Sequence, residues 1–156
     1  MRTLIAFAGK YGSTKKAAHL LRDKFSGEVT LVNLTEEKPP DLDTFDLVVI
    51  GGSIYAGFIR PEVRKFCRDN LATLTGKKLG LFVCCGLENK AEEQIKTVFP
   101  RELLSRAMAT GYFGYEVNYD QMSFLDRIIM RLVSGQKENQ FCLREENIEK
   151  FAAELD

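Results

Sequence analysis

A doubly wound α/β sandwich, with parallel strands covered by helices on both faces, is the fold class this sequence predicts. Three observations point there. Short apolar runs alternate with segments whose apolar residues recur at helical spacing. The runs are nearly continuous in apolar residues, as in Asp46-Leu47-Val48-Val49-Ile50, which suits strands buried on both faces. A chain of 156 residues, 45% hydrophobic and 28% charged, fits one domain with a substantial core. Residues 1–156 read as that single domain, without a repeat, low-complexity tract or interdomain linker.

The first strand is Thr3–Ala8. It leads into a helix over Ser13–Ser26, in which Thr14, Ala17, Ala18, Leu21 and Phe25 share one face and His19 points the other way, to solvent. Val29–Leu34 and Leu47–Gly51 are the second and third strands, and Lys38-Pro39-Pro40 is a loop between them. A second helix opens at Pro61, a favoured first-turn residue, and aligns Val63, Phe66, Cys67 and Asn70-Leu71. Leu79–Cys84 is the fourth strand. Ala91, Ile95, Val98 and Phe99 mark the next helix, with Asn89 and Glu92 spaced like a capping box. A weaker fifth strand covers Ala107–Tyr115, and Ile148, Phe151, Ala152 and Leu155 align on a closing helix.

Phe124–Val133 has a broader apolar face than a helix docked on a sheet requires, about half the circumference against a stripe of roughly 100°. It is either a deeply packed helix or an apolar surface for a quinone, a membrane interface or a second subunit, with Arg127 and Arg131 beside it to meet lipid phosphates or carboxylates.

Charge narrows the function. Lysine plus arginine equals aspartate plus glutamate, 22 each, so no net field draws in nucleic acid. There is no cationic leader, and no apolar run approaches the ~20 residues of a membrane-spanning helix. The expectation is a cytoplasmic protein, or one peripheral at the inner face of the cell membrane. Cys67, Cys84, Cys85 and Cys142 lack CxxC spacing and His19 is the only histidine, so no metal site is expected and the cysteines read as small buried hydrophobes.

In an open sheet of this class ligands bind beyond the carboxyl ends of the strands. Three loops start there: Gly9–Thr14, Gly52–Arg60 and Cys85–Asn89. The first, within FAGKYGSTKK, enters a helix whose unpaired N–H groups favour an anion; Gly12 permits a tight turn, Ser13 and Thr14 add hydroxyls, and Lys10 and Lys15 add charge. A serine-capped loop with no ligand has the same composition. Several phosphate motifs are missing: there is no G-x-x-x-x-G-K-[ST], no G-x-G-x-x-G, no acidic pair as in a phosphorelay receiver, and no Cys-x5-Arg loop.

The turn Lys10-Tyr11-Gly12-Ser13-Thr14 resembles the phosphate loop of the flavodoxin-like FMN proteins at its glycine and final threonine; Ala8 stands where many members have a hydroxyl. The resemblance implies the strand order 2-1-3-4-5 and FMN as cofactor. Its phosphate would lie on Lys10, Tyr11, Gly12, Ser13 and Thr14. Its ring would lie between Ser53-Ile54-Tyr55-Ala56-Gly57, with Tyr55 the nearest aromatic, and Cys85-Gly86-Leu87 with Asn89. A backbone group near Gly57 would bond the flavin N5 differently in each redox state, so no catalytic side chain is expected. Cys85 is a packing residue or a redox partner, and Glu88 a helix cap or a repeller of negative charge.

Gly52-Ser53-Ile54-Tyr55-Ala56-Gly57-Phe58, with Phe124-Leu125-Asp126-Arg127-Ile128-Ile129-Met130-Arg131-Leu132-Val133-Ser134-Gly135, is similar more narrowly to the menaquinone-dependent protoporphyrinogen oxidase branch. Haem-pathway members carry a longer insert in the region that is short here, Cys85–Arg106. The resemblance implies an FMN oxidoreductase delivering electrons to a quinone-like acceptor. The alternative is a small carrier between protein redox partners, although carriers tend to be acidic around the flavin and this chain has Arg60, Arg64 and Arg68. Replacing Thr14 by a bulky hydrophobe is expected to cost FMN while sparing the fold.

Overall fold

The computed structural model describes residues 1–86, 88–117, 123–134 and 140–156. In chain order the elements are β1 (Arg2–Ala8), α1 (Ser13–Arg22), β2 (Glu28–Asn33), β3 (Leu47–Tyr55), β4 (Phe58–Ile59), α2 (Pro61–Asp69), α3 (Leu71–Leu74), β5 (Lys78–Cys84), α4 (Ala91–Val98), α5 (Arg101–Leu104), β6 (Ala109–Tyr112), β7 (Gly114–Val117), α6 (Phe124–Ser134), β8 (Gln140–Leu143) and α7 (Glu145–Leu155).

The main sheet runs β2-β1-β3-β5-β6, all parallel, which is the expected five-strand order when the short β4 is set aside. Alternation along the strands divides the core. Leu4, Ala6, Val48, Ile50, Leu79, Leu81 and Val83 pack with Val63, Phe66, Leu74 and Ile95 of the α2 to α4 layer. Ile5, Phe7, Leu47, Val49, Phe82 and Cys84 pack with Ala17, Leu21, Ile148 and Phe151 of α1 and α7. Both faces of the central strands β1, β3 and β5 are therefore buried, the physical reason those runs are apolar throughout, while the edge strands β2 and β6 are only partly covered. Phe82 stacks on Phe113 at 4.4 Å between centroids, and Phe151 meets Phe113 edge-on at 5.1 Å.

Register sets the site. Ala8 is opposite Gly52, and Ser53 is opposite Cys84, so β1 and β5 end within one residue of each other on either side of β3, which runs on to Tyr55 between their two loops.

The structure corrects several expectations. The third strand does not stop at Gly51 but runs to Tyr55 and turns back into β4, with Tyr55 paired to Phe58. The turn residues Ala56 and Gly57 have φ of 51° and 85°, the left-handed pair of a tight two-residue hairpin. Asn89 and Glu92 form no capping box: Glu88–Lys90 is a single 3-10 turn, and α4 begins without a side-chain cap. The fifth strand breaks in two. The Phe113 N–H still bonds the Val83 carbonyl in the main sheet, but its own carbonyl accepts from Arg144 N–H, and Gly114 turns away at φ 82°. β7 then pairs antiparallel with β8 in a second, two-stranded sheet, and α6 lies between them in sequence. None of the described helices is long and apolar enough to cross a membrane.

Gly51 lies under the ring of its β5 register partner, Phe82. A Cβ there would lie 2.0 Å from the Phe82 ring tip, and that ring is held by Phe113. Gly51→Ala is expected to cost about 1–3 kcal/mol of unfolding free energy by overpacking, read as a lower denaturant midpoint. An unchanged midpoint would show that Phe82 can give way.

Candidate functional site

The first loop folds as its sequence requires. Gly12 sits at φ 92° before the first turn of α1, a conformation that L side chains rarely adopt. A Cβ at Gly9 would meet Thr14 Cβ at 2.8 Å, so only glycine lets the loop close onto the helix. α1 has no side-chain cap, and the first backbone bond closing its amino-terminal turn runs from Lys16 N–H to the Gly12 carbonyl. The preceding N–H groups of the turn therefore point out unpaired by the helix itself. An anion there gains about 0.3–1 kcal/mol at an exposed helix end, and up to ~2 when partly buried.

Thr14 and Ser13 are both buried. Thr14 Oγ1 and Ser53 Oγ are shut off from solvent with no hydrogen-bond partner of good geometry among the described residues. The Cys84 thiol beside Thr14 is a weak partner only. Burial pushes that thiol up to about 12, so it is no thiolate at neutral pH. Orphaned buried hydroxyls on two neighbouring loops are what a hydrogen-bonding ligand would satisfy. The expectation that a bulky hydrophobe at Thr14 spares the fold is corrected: the side chain is wholly enclosed, against Gly9.

The second loop brings Tyr55 to the first, and a residue singled out by no loop motif joins them. Asp126, in the first turn of α6, accepts hydrogen bonds from the Tyr55 hydroxyl (2.8 Å) and from the Tyr11 hydroxyl. It also pairs with Lys10 Nζ at 3.0 Å. Lys10 Nζ stands 4.2 Å over the Tyr55 ring. One face of Tyr55 thus carries a cation, and its hydroxyl is bound rather than in water. The acid is almost fully buried. Its helix is started by Ser123, whose Oγ accepts from the Asp126 N–H at 3.2 Å. A serine three residues ahead of an acid, opening an apolar run, was the available signal.

Ile54 is half-buried at the rim, while Ala56 and Gly57 are exposed at the hairpin tip. In the third loop the Tyr112 hydroxyl donates to the Cys85 carbonyl at 3.1 Å, and burial pushes that phenol up, so it keeps its proton. Cys85 is buried, Gly86 half-buried and Asn89 exposed; Leu87 lies outside the described residues. Glu88 pairs with Arg144 at 2.5 Å, so it caps no helix. His19 is half-exposed on α1, away from these loops.

The second side of α6 settles the alternative posed by its sequence. Phe124, Leu125 and Leu132 are 78%, 65% and 81% exposed, and Ile128 is exposed as well. Phe58, two residues beyond the Ala56 of the hairpin tip, is 67% exposed. This is an apolar surface adjoining the second loop and not a deeply packed helix.

The model of the flavodoxin domain family matches residues 4–141. Solved structures with the same fold include a Streptococcus pneumoniae TIGR4 flavodoxin, 19% identical with a TM-score of 0.59, covering 99% of this chain and 97% of that one. A short-chain flavodoxin associated with a PDU bacterial microcompartment is 18% identical, with a TM-score of 0.61 over 99% and 96% of the two chains. The rubredoxin oxygen:oxidoreductase of Desulfovibrio gigas is 14% identical with a TM-score of 0.62; the match covers 99% of this chain but only 35% of that protein. No curated protein matches the sequence at a significant level.

Because the Thr14 hydroxyl is buried without a good partner, Thr14→Val is expected to leave the unfolding midpoint unchanged or to raise it. A loss of more than about 1 kcal/mol would mean that the hydroxyl is already satisfied.

Proposed function

The chain belongs to the flavodoxin domain family, and on that premise we propose that it binds FMN beyond the carboxyl ends of β1, β3 and β5 and delivers electrons to a quinone-like acceptor. Proteins of this fold hold FMN at that edge of the sheet. The residues here suit it: an uncapped helix terminus for the phosphate, and two orphaned hydroxyls, Thr14 and Ser53, within the loops that would enclose the molecule.

FMN, when bound, supplies one- and two-electron chemistry, and the protein supplies orientation and electrostatics. The first-turn N–H groups of α1 and the Ser13 hydroxyl would hold the phosphate. Lys10 would add a positive charge at the same loop. Tyr55, its orientation fixed by the Asp126 hydrogen bond, would border the ring. Cys85, Gly86 and Asn89 would close the other side, where Tyr112 holds the loop backbone in place. Cys85 packs there as a small buried residue.

The observation that carries the acceptor is α6. The same helix that touches Tyr55 through Asp126 turns Phe124, Leu125, Ile128 and Leu132 to solvent. A lipid-soluble ring or the membrane that contains it matches such a surface, with Arg131 exposed beside it. Peripheral attachment at the inner face of the cell membrane follows from that reading. A porphyrinogen as electron donor rests on the motif resemblance alone. The second reading, a carrier between protein partners, is favoured by the near-complete coverage of two free-standing flavodoxins.

Freshly purified protein is expected to be yellow and to release FMN on denaturation. Leu125→Ser with Leu132→Ser should then lower quinone reduction by about tenfold or more while leaving FMN content and unfolding midpoint unchanged, since both side chains are exposed. Full quinone turnover in that variant would remove α6 from the acceptor site. No quinone reduction by the parent protein, with fast exchange with a ferredoxin reductase, would favour the carrier.

A further inference from the structure

Lys10 and Tyr11 belong to the loop that would hold the phosphate, yet both already spend a donor on a carboxylate. Resting on the FMN reading above, we propose that Asp126 is an internal rival of the ligand's phosphate. It occupies donors that the phosphate would take, and so limits how strongly the site prefers a phosphorylated ligand over the same molecule without its phosphate.

Three observations support this. The carboxylate binds donors of the first loop at both oxygens: Lys10 Nζ lies 3.1 Å from Oδ1 and 3.0 Å from Oδ2, and Tyr11 donates to Oδ2. Its side chain is only 12% exposed, so its charge is screened weakly and acts on any second anion nearby. Finally, the acid is not consumed by its own helix. Ser123 provides the cap of α6, and the side chain of Asp126 reaches instead to residues 116, 115 and 71 positions away in sequence.

The competition has a consequence for the helix. When a phosphate draws Lys10 and Tyr11 to itself, the Tyr55 hydroxyl remains as the tie between Asp126 and the second loop. Site loading and the hold on α6 are then coupled through one carboxylate, and the apolar surface of the proposed acceptor site lies on that helix.

The test is a ratio, which cancels effects on the ring common to both ligands. Protein stripped of flavin is titrated with FMN and with riboflavin, following flavin fluorescence. Asp126→Asn keeps an acceptor for the hydroxyls and removes the charge. It is expected to raise the ratio of riboflavin Kd to FMN Kd by about tenfold, through a gain for FMN alone. Loss of a purely structural prop would weaken both ligands alike and leave the ratio where it was. An unchanged or smaller ratio overturns the proposal. Asp126→Ser, which still accepts from a tyrosine, serves if the first variant does not fold. Adding Lys10→Gln should shrink the gain, because the contested donor is gone; an undiminished gain also counts against the proposal. If neither flavin binds the parent protein, the FMN reading fails separately, and titration with inorganic phosphate by phosphorus NMR decides the matter. Tighter phosphate in Asp126→Asn upholds the rivalry, and equal affinity ends it.

Discussion

Donors at the first turn of α1 that have no partner among the described residues are the constraint on which this site depends. A helix entered through a left-handed glycine, with no side-chain cap, leaves amide groups that must meet water or an anion. Around them the chain has placed a lysine, two tyrosines and two buried hydroxyls without good partners. A negative group fits that company better than any neutral one. The protein supplies one such group itself, in Asp126, from a helix far along the sequence. The balance between an internal carboxylate and an external phosphate is therefore the natural description of the site's electrostatics.

The sheet makes this arrangement possible by bringing three loops to the same edge. The register of Ala8 with Gly52, and of Ser53 with Cys84, is kept by side chains that interlock on both faces. Gly51, the register partner of Phe82, leaves room for the Phe82 ring over β3. Rigid strands below and irregular loops above divide the labour between stability and binding.

Most of the fold was legible in the sequence because parallel strands buried on both faces have an unmistakable local pattern. Thr3–Ala8 and Leu79–Cys84 match β1 and β5 to within a residue at the start. The helix positions of Leu21, Phe66 and Ile148 all proved to be core. Ala107–Tyr115 carries no proline or charge that would break a strand; the break comes at Gly114, where any added Cβ would strike the Cys142 carbonyl. That contact joins positions 28 residues apart, and no local rule anticipates it. The hairpin after Tyr55 has no local signal for a related reason. Ala56 is an unusual choice for a left-handed turn position, where glycine or asparagine is the expected signal. At the site, the phosphate-loop residues were readable from their types, but their engagement was not. In sequence Asp126 is one letter of an apolar helix, since its partners, Lys10, Tyr11 and Tyr55, lie far away along the chain. The exposure of Phe124 and Leu132 is likewise a tertiary property, and the apolar pattern of α6 fits a packed helix equally well.

The most direct test of the central claim follows backbone amide resonances of residues 12–15 by NMR while FMN, and separately riboflavin, is added. The account predicts that FMN shifts the Ser13, Thr14 and Lys15 amides strongly downfield, as hydrogen bonding to a phosphate does, and that riboflavin leaves them almost unmoved. Equal shifts with both ligands, or shifts confined to other parts of the chain, would contradict a phosphate anchored where β1 gives way to α1.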